Sequence, residues 1–508
     1  MKSSSAPAPL TARQAGLLGA IVIATIAIYL PSLRNGWVFD DWQEIVNNQF
    51  IHSWSFVGNS FIHDIWWFRD PTKLPQSAYY RPLENAWFAV NALLFGTHPA
   101  AWHLAKIALH AVVVLLCFRA AQLLTGDVAT ALLTAAIFGV MPAHVEAVVW
   151  ASAIPEPLST AFELGALIFL IGRKPGWSRG LFIALLLYAC AILTHESAIL
   201  FPLIAGAYAY LIERKRACES IRLAAPFIAI AIGYMAARLY ALGPEDYFGA
   251  PYNQALAALG WAKPAASHGA FELILTAPVV LLEYLGVLAM PGLAGPAHNV
   301  NWSAGVTPIT LISVGAIAAL AIIASAIAWR SPHRNLYMFC AAWSLLTIAP
   351  AMKLNALNAL VQDRLLYAPS FGWSMAVAIA AVELAAVNPR ARAAVAGATA
   401  MVLAAYAVSA VRIEHYWNDN LTFYARCVEI DPYNVDYLRL LVQLLNEKPD
   451  FAAAANVLER AVQLEPDNPY LHMKLANEYA LMQRPADFRA EMMRTRALWG
   501  KSQAVPSP

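Results

Sequence analysis

Long apolar runs, broken by short polar or basic stretches, fill the first 411 residues. They fall at 15–33, 100–117, 127–141, 157–172, 180–193, 198–212, 223–241, 307–329, 335–352, 365–387 and 393–411. A spanning helix needs about 20 mostly apolar residues, so the pattern predicts about 11 transmembrane helices in an all-α polytopic membrane protein. The run 272–291 is also apolar enough, but it holds Glu272, Pro278, Glu283 and Pro291. It is expected as a re-entrant or protein-covered helix on the outer side. Residues 15–33 read as a retained span: the run is long, ends in Pro31 and lacks a small-residue cleavage site.

Basic residues orient the spans. They cluster at Arg119, Arg173/Lys174/Arg179, Arg214/Lys215/Arg216/Arg222, Arg330/Arg334 and Arg390/Arg392. Eleven spans with the N-terminus inside put all these clusters in the cytoplasm. The first loop (34–99), the other polar-rich loops and the C-terminus then lie outside.

Beyond residue 411 the pattern turns amphipathic and charged. Arg426-CVEIDPYN aligns with Arg460-AVQLEPDN at an offset of 34 residues. That is the tetratricopeptide period, a helix pair per unit, with Pro432 and Pro466 ending one helix and Asn434 and Asn468 near the start of the next. Residues 1–411 are thus expected to form a transmembrane domain and 412–508 a short repeat domain on the outer face. Stacked helix pairs offer a concave peptide-binding surface. So few units must also dock on something else.

Composition agrees: 60% of residues are apolar and 13% charged, and mean hydropathy is +0.53. A net charge of +2 supplies no field for nucleic acid. Cys117, Cys190, Cys218, Cys340 and Cys427 form no CxxC pair and read as small buried hydrophobes.

Candidate chemistry sits in the outer loops. Asp40-Asp41 follows the first span and is flanked by Trp37, Val38, Phe39 and Trp42. A partly desolvated carboxylate in such a cleft gains basicity and suits a general base. The stretch 51–70 places Trp54, Phe61, Ile65 and Phe68 at helical spacing, which predicts a helix in the interface plane. In MPAHVEAVVWASAIPEP, His144 and Glu146 are two apart, suited to substrate binding or to orienting a base. A divalent metal would need further ligands at defined spacing, and none is convincing, so no metal or other cofactor is assigned. Thr194-His195-Glu196-Ser197 forms a tiny polar loop. The last outer loop ends with Asp363-Arg364, where Arg364 pairs with Asp363 or Glu146, or clamps a phosphate.

The ordered series VFDDWQEI, YYRPL (79–83), PAHVEAVVWA, THES, QDRLLYAPS (362–370) and the repeats resembles the transmembrane and tetratricopeptide-repeat-containing O-mannosyltransferases. These are a branch of the GT-C glycosyltransferases. The resemblance implies a polyprenyl-phosphate-linked sugar donor and an acidic base in the first outer loop: Asp40, with Asp41 as second candidate. Arg81, His144, Glu146 and Arg364 match motif positions. His195-Glu196 stands where the family often has Lys-Glu, so a fixed charge facing phosphate is replaced by a titratable group. The short repeat tail and Ala-rich composition point to a bacterial homologue, with catalytic loops and C-terminus in the periplasm; a eukaryotic chain would place them in the endoplasmic reticulum lumen.

The expected activity is inverting transfer of mannose or a similar sugar to an acceptor hydroxyl, such as Ser or Thr of an exported protein or a glycan, bound through the repeats. The rivals are a membrane-anchored repeat scaffold and a polytopic transporter. Eleven spans exceed what an anchor requires. A transporter would place ionisable residues at mid-span in repeated halves.

Overall fold

The computed structural model describes residues 9–72, 75–243, 270–300, 302–303, 305–352 and 360–503. The beginning of the last outer loop, 353–359, lies outside them. Among the described residues every regular element is helical. Before residue 244 come α1 (Ala12–Tyr29), α2 (Trp54–Asn59), α3 (Pro82–Phe95), α4 (Pro99–Thr125), α5 (Val128–Gly139), α6 (Val145–Val149), α7 (Pro155–Ile171), α8 (Arg179–Thr194), α9 (Phe201–Ala207) and α10 (Ala217–Leu242). After residue 269 come α11 (Ala270–Ala289), α12 (Pro308–Arg330), α13 (Arg334–Ile348), α14 (Pro369–Ala385) and α15 (Pro389–Glu414). The tail holds α16 (Asn420–Ile430), α17 (Val435–Glu447), α18 (Phe451–Leu464), α19 (Pro469–Leu481) and α20 (Pro485–Gln503).

Local chemistry sets the helix ends. Thr11 and Gln14 form a reciprocal capping box at α1, and Asp127 accepts the Thr130 N–H at 2.7 Å to start α5. Ser178, Thr307 and Asn388 cap α8, α12 and α15 in the same way. Two glycines permit close helix contact. A Cβ at Gly139 would collide with Thr25 of α1, and one at Gly372 with the Cys340 carbonyl of α13.

All eleven expected spans are helical, but their lengths differ. Among the described residues, six helices are long and apolar enough to cross a membrane, and α5 with the bent segment Pro142–Val149 (55°) makes a seventh if the pair is one span. The chain is therefore an integral membrane protein. The helices α7, α8, α13 and α14 have only 15–17 residues. They sit among other helices, with Leu164, Tyr188, Trp343 and Phe371 fully buried. A helix covered by protein need not match the hydrocarbon thickness by itself.

Residues 272–289 of segment 272–291 lie in one unbroken helix, α11, of spanning length, so the re-entrant alternative gives way to the protein-covered one: Val280, Tyr284 and Val287 are buried. Its Glu283 is paired: His298 Nδ1 lies 3.1 Å from Glu283 Oε1, and His298 Nε2 lies 2.8 Å from Asp363 Oδ1.

The in-plane helix expected over 51–70 is also corrected. Only Trp54–Asn59 is α-helical. Asp64 then turns the chain by accepting from Trp66 N–H (2.8 Å), Gln76 N–H (3.0 Å) and Ser77 O–H (3.0 Å). Phe56, Trp67 and Phe68 pack instead with Phe88 of α3 and Trp102 of α4 in a separate small core. Aromatic burial outweighs a surface helix here.

The helix ends gather in two layers. One holds Gly36, Ala78, Asp363 and Asn418: Gly36 N–H donates to Asn418 O (2.9 Å), and Arg238, near the end of α10, donates to Ala78 O (2.5 Å). The opposite layer holds Arg173 with Glu213 (2.8 Å), Asn335 with Leu211 O (2.7 Å) and Ser331 with Glu383 (2.5 Å). The clustered basic residues lie toward this second layer.

In the tail each helix from α16 to α20 packs on the next. The 34-residue repeat reappears as one turn used twice. Asn434 N–H donates to Asp431 O (3.3 Å) and Asn468 N–H to Glu465 O (3.1 Å), and both Asn side chains accept from the following helix. Leu438, Leu441, Ala454 and Leu458 belong to the same buried cluster as the membrane helices. The tail is thus docked along its apolar face.

The Glu283–His298–Asp363 clamp yields a stability prediction. Burial alone would lower the His298 pKa, but Asp363 and Glu283 reverse this and hold it at about 10. Its folded pKa therefore exceeds the ordinary value of about 6.5. The clamp's contribution is fully present below pH 6.5 and is lost as pH rises through about 10. His298→Ala strands Asp363 and should cost about 3 kcal/mol. Thermal unfolding of the detergent-solubilised protein at pH 7 and pH 10 checks this: the gap between wild type and variant should shrink at the higher pH.

Candidate active site

A cavity of about 1300 Å³ opens in the layer that holds Gly36 and Asn418. Its walls come mainly from the first loop, the segment 146–156, the turn 195–197, the segment 361–365 and tail residues 417–448, with Arg238, Gly295, Pro296 and Pro350. Of the expected residues, Asp40, Arg81, Glu146, His195, Glu196 and Arg364 line it. Asp41 and His144 do not.

Asp40 is half-buried and lines the cavity. Burial pushes its carboxyl up to about 7; Arg364 opposes this and Asp41 adds to it. Its backbone carbonyl accepts from Gln43 and Glu44 (both 2.9 Å), starting the π-helical turn Trp42–Val46. Asp41 does different work. It is 1% exposed, and its Oδ1 accepts from Ser152 N–H (2.8 Å) and Ser152 O–H (2.7 Å) while Oδ2 accepts from Val38 N–H (3.0 Å). Both oxygens are engaged, so Asp41 fastens the first loop to the segment after α6.

Arg81 donates to Glu196 through Nε (2.8 Å) and Nη2 (3.0 Å), a two-point fork. Arg364 pairs with Glu146 through Nη1, its backbone N–H donates to Glu146 Oε2 (3.0 Å), and its Nε lies 3.2 Å from Glu156 Oε1. Its guanidinium sits 5.0 Å from the Trp150 ring centre. Of the two partners expected for Arg364, the structure selects Glu146; Asp363 points away to His298 and to the Gly295 N–H (2.7 Å). His195 hydrogen-bonds Ser197 through Nδ1 and faces Glu156 through Nε2 at 3.9 Å. Burial pushes the His195 pKa down to about 4, and Arg81 lowers it further, so the ring is neutral near pH 7.

His144 is fully buried outside the cavity. Its Nε2 lies 2.8 Å from Ser370 Oγ and its ring packs 4.5 Å from that of Tyr367. It joins α14 to the segment before α6. Reading the chain overlooked Glu156, which bridges Arg364 and His195. Its only signal was an acidic residue between Pro155 and Pro157 at a helix start. It also overlooked Glu44 and Glu84, which line the cavity from the first loop. Among the described residues, no group of three or more His, Cys, Asp or Glu is placed to hold a metal ion.

No family model matches the chain. Curated relatives match parts of it. Mouse protein O-mannosyl-transferase TMTC3 is 34% identical over 149 residues, which is 29% of this chain and 16% of that protein. Drosophila melanogaster protein O-mannosyl-transferase Tmtc1 is 31% identical over 198 residues, 38% of this chain and 22% of that protein. Caenorhabditis elegans protein O-mannosyl-transferase F38B6.6 is 29% identical over 167 residues, 32% and 24% respectively. The matched stretches thus span less than a quarter of these relatives' length. Among solved structures, ArnT from Cupriavidus metallidurans bound to undecaprenyl phosphate aligns over 82% of this chain and 80% of its own. Identity there is 16% and the TM-score 0.37. Over the matched stretches, this chain is similar to the protein O-mannosyl-transferases of the TMTC group.

Proposed function

We propose that the chain is an inverting glycosyltransferase that moves a sugar from a polyprenyl-phosphate donor to an acceptor hydroxyl. The observation that carries this is one cavity at the membrane edge where Asp40 meets Arg81 and Arg364. The similarity to protein O-mannosyl-transferases adds to it.

In this reading the acceptor oxygen attacks the anomeric carbon and forms the new C–O bond. The C–O bond to phosphate breaks, and the lipid phosphate leaves with both bonding electrons. Asp40 takes the acceptor proton. Arg364 and Arg81 stabilise the phosphate charge, so the leaving group needs no protein acid. Glu146, Glu156 and Glu196 hold the two guanidiniums in place rather than acting on substrate. A single displacement inverts the anomeric centre. The tail forms one wall of the cavity, which supports an acceptor, such as a Ser or Thr of an exported protein, entering between tail and membrane helices.

The site then faces the side opposite the basic clusters, the periplasm in a bacterium. Helix-end contacts support this topology. Arg238 reaches the site layer and Ser331, after α12, reaches the opposite one. The single helix α12 therefore starts in the site layer. Residues 243 and 307 then share a side, which agrees with α11 lying on the outer side and with eleven spans.

Asp40→Asn should lower transfer by about 10²–10⁴-fold while donor binding persists, measured by turnover and by donor binding on the same preparation. Near-normal turnover would remove Asp40 from the role. In the wild type the base works deprotonated, so kcat/KM should rise with pH through about 7, the value burial gives Asp40. A pH–rate profile flat from pH 5 to 8 would contradict this. Arg364→Ala should impair donor saturation most, because Glu146 and Glu156 are left unpaired. Arg364→Lys should recover only part, since an ammonium lacks the planar fork. Donor saturation curves for the three proteins decide it, with equal saturation excluding a phosphate role.

A further inference from the structure

Phe39, the residue before Asp40, has a φ of 57°. A bulky L-residue rarely adopts this left-handed conformation, so its surroundings must impose it. Part is local: the Asp41 N–H donates to Val38 O at 3.2 Å and Asp41 Oδ2 accepts from the Val38 N–H at 3.0 Å, closing a turn around Phe39 and Asp40. The rest comes from the tail. The Phe39 N–H donates to Asn420 Oδ1 at 2.8 Å. The Phe39 ring packs 6.1 Å from Phe423, 6.4 Å from Tyr424 and 5.4 Å from Trp150. Three residues earlier, the Gly36 N–H donates to Asn418 O at 2.9 Å, and Trp417 stacks on Trp150 at 5.7 Å. On its other side Asp40 is followed by the Asp41–Ser152 clamp. Asp40 thus lies between two fixed points, one made by the tail and one by the membrane domain.

We propose that Asn420 and the aromatic wall around Phe39 form a latch through which the tail positions Asp40, with Asn420 a positioning residue for the base. The proposal rests on the reading of Asp40 as base. Without the hydrogen bond to Asn420, Phe39 returns to a negative φ. The next peptide swings, and the Asp40 carboxyl leaves its place beside the acceptor. Because the same tail residues line the cavity, anything that shifts the tail also shifts the base.

The test uses the full chain, a polyprenyl-phosphate sugar donor and an acceptor. Asn420→Ala should lower kcat by about 10–100-fold, the usual cost of misplacing a reacting group by an ångström. Donor KM should stay unchanged. The rising limb of the pH–rate profile should move to lower pH as Asp40 gains water. Asn420→Asp keeps an oxygen opposite the Phe39 N–H, and a carboxylate is favourable at the start of α16, so it should restore most of the rate. In a Phe39→Gly background the left-handed φ is no longer strained, and Asn420→Ala should then cost little more. A wild-type rate and profile for Asn420→Ala overturns the latch. So does an Asn420→Asp enzyme with the low rate and shifted profile expected of Asn420→Ala, which decides the matter if the Ala variant fails to fold. Asp40→Asn run in parallel separates the two readings: full turnover there removes the base itself, whatever Asn420 does.

Discussion

Charges held at the edge of a membrane must find partners, and this requirement organises the site. An unpaired ion in a low-dielectric setting is costly, and removing one member of a buried pair leaves the other uncompensated. Here two of the guanidiniums that line the cavity meet carboxylates from distant stretches of chain. Arg81, at the start of α3, forks onto Glu196 beyond α8. Arg364, before α14, joins Glu146 of α6 and Glu156 of α7. These pairs draw five segments to one point, and the cavity is the space they enclose.

The same cavity treats the tandem Asp40-Asp41 unequally. Asp41 gives both oxygens to Ser152 and Val38 and becomes a structural fastener. Asp40, one residue earlier, lines the cavity with a raised pKa. Two adjacent side chains of a turn point in different directions, so one can be buried and the other presented.

Much of this was legible in the chain. Apolar run length predicted helices at every expected span, and each one exists. The 34-residue offset predicted the turn that recurs at Asp431–Asn434 and Glu465–Asn468. Asp40, Arg81, His195, Glu196 and Arg364 stood out as polar residues at the ends of apolar runs, and they do share one cavity. Other expectations failed for definable reasons. His144 looked like a loop residue, but it is buried against Ser370 and Tyr367, partners more than 200 residues away. The aromatic stretch 51–70 had helical spacing, yet its rings found a better surface in Phe88 and Trp102 than in lipid. The re-entrant alternative for 272–291 gave way because Glu283 finds its counter-charge in His298, in a later turn that no local pattern links to it.

The amino-acid sequence by itself determined what depends on local or periodic chemistry: the helical class, the membrane setting, the repeat tail and the acidic first loop. These follow from side-chain hydrophobicity, helix caps and spacing, which act over a few turns of chain. The tertiary structure decided which charges pair, which aspartate is presented, and that the tail forms a wall of the cavity and grips Phe39 through Asn420. Those outcomes depend on contacts between residues as far as 381 positions apart. No local pattern encodes such contacts, because their energies arise only once packing has excluded water and brought the partners within hydrogen-bonding distance.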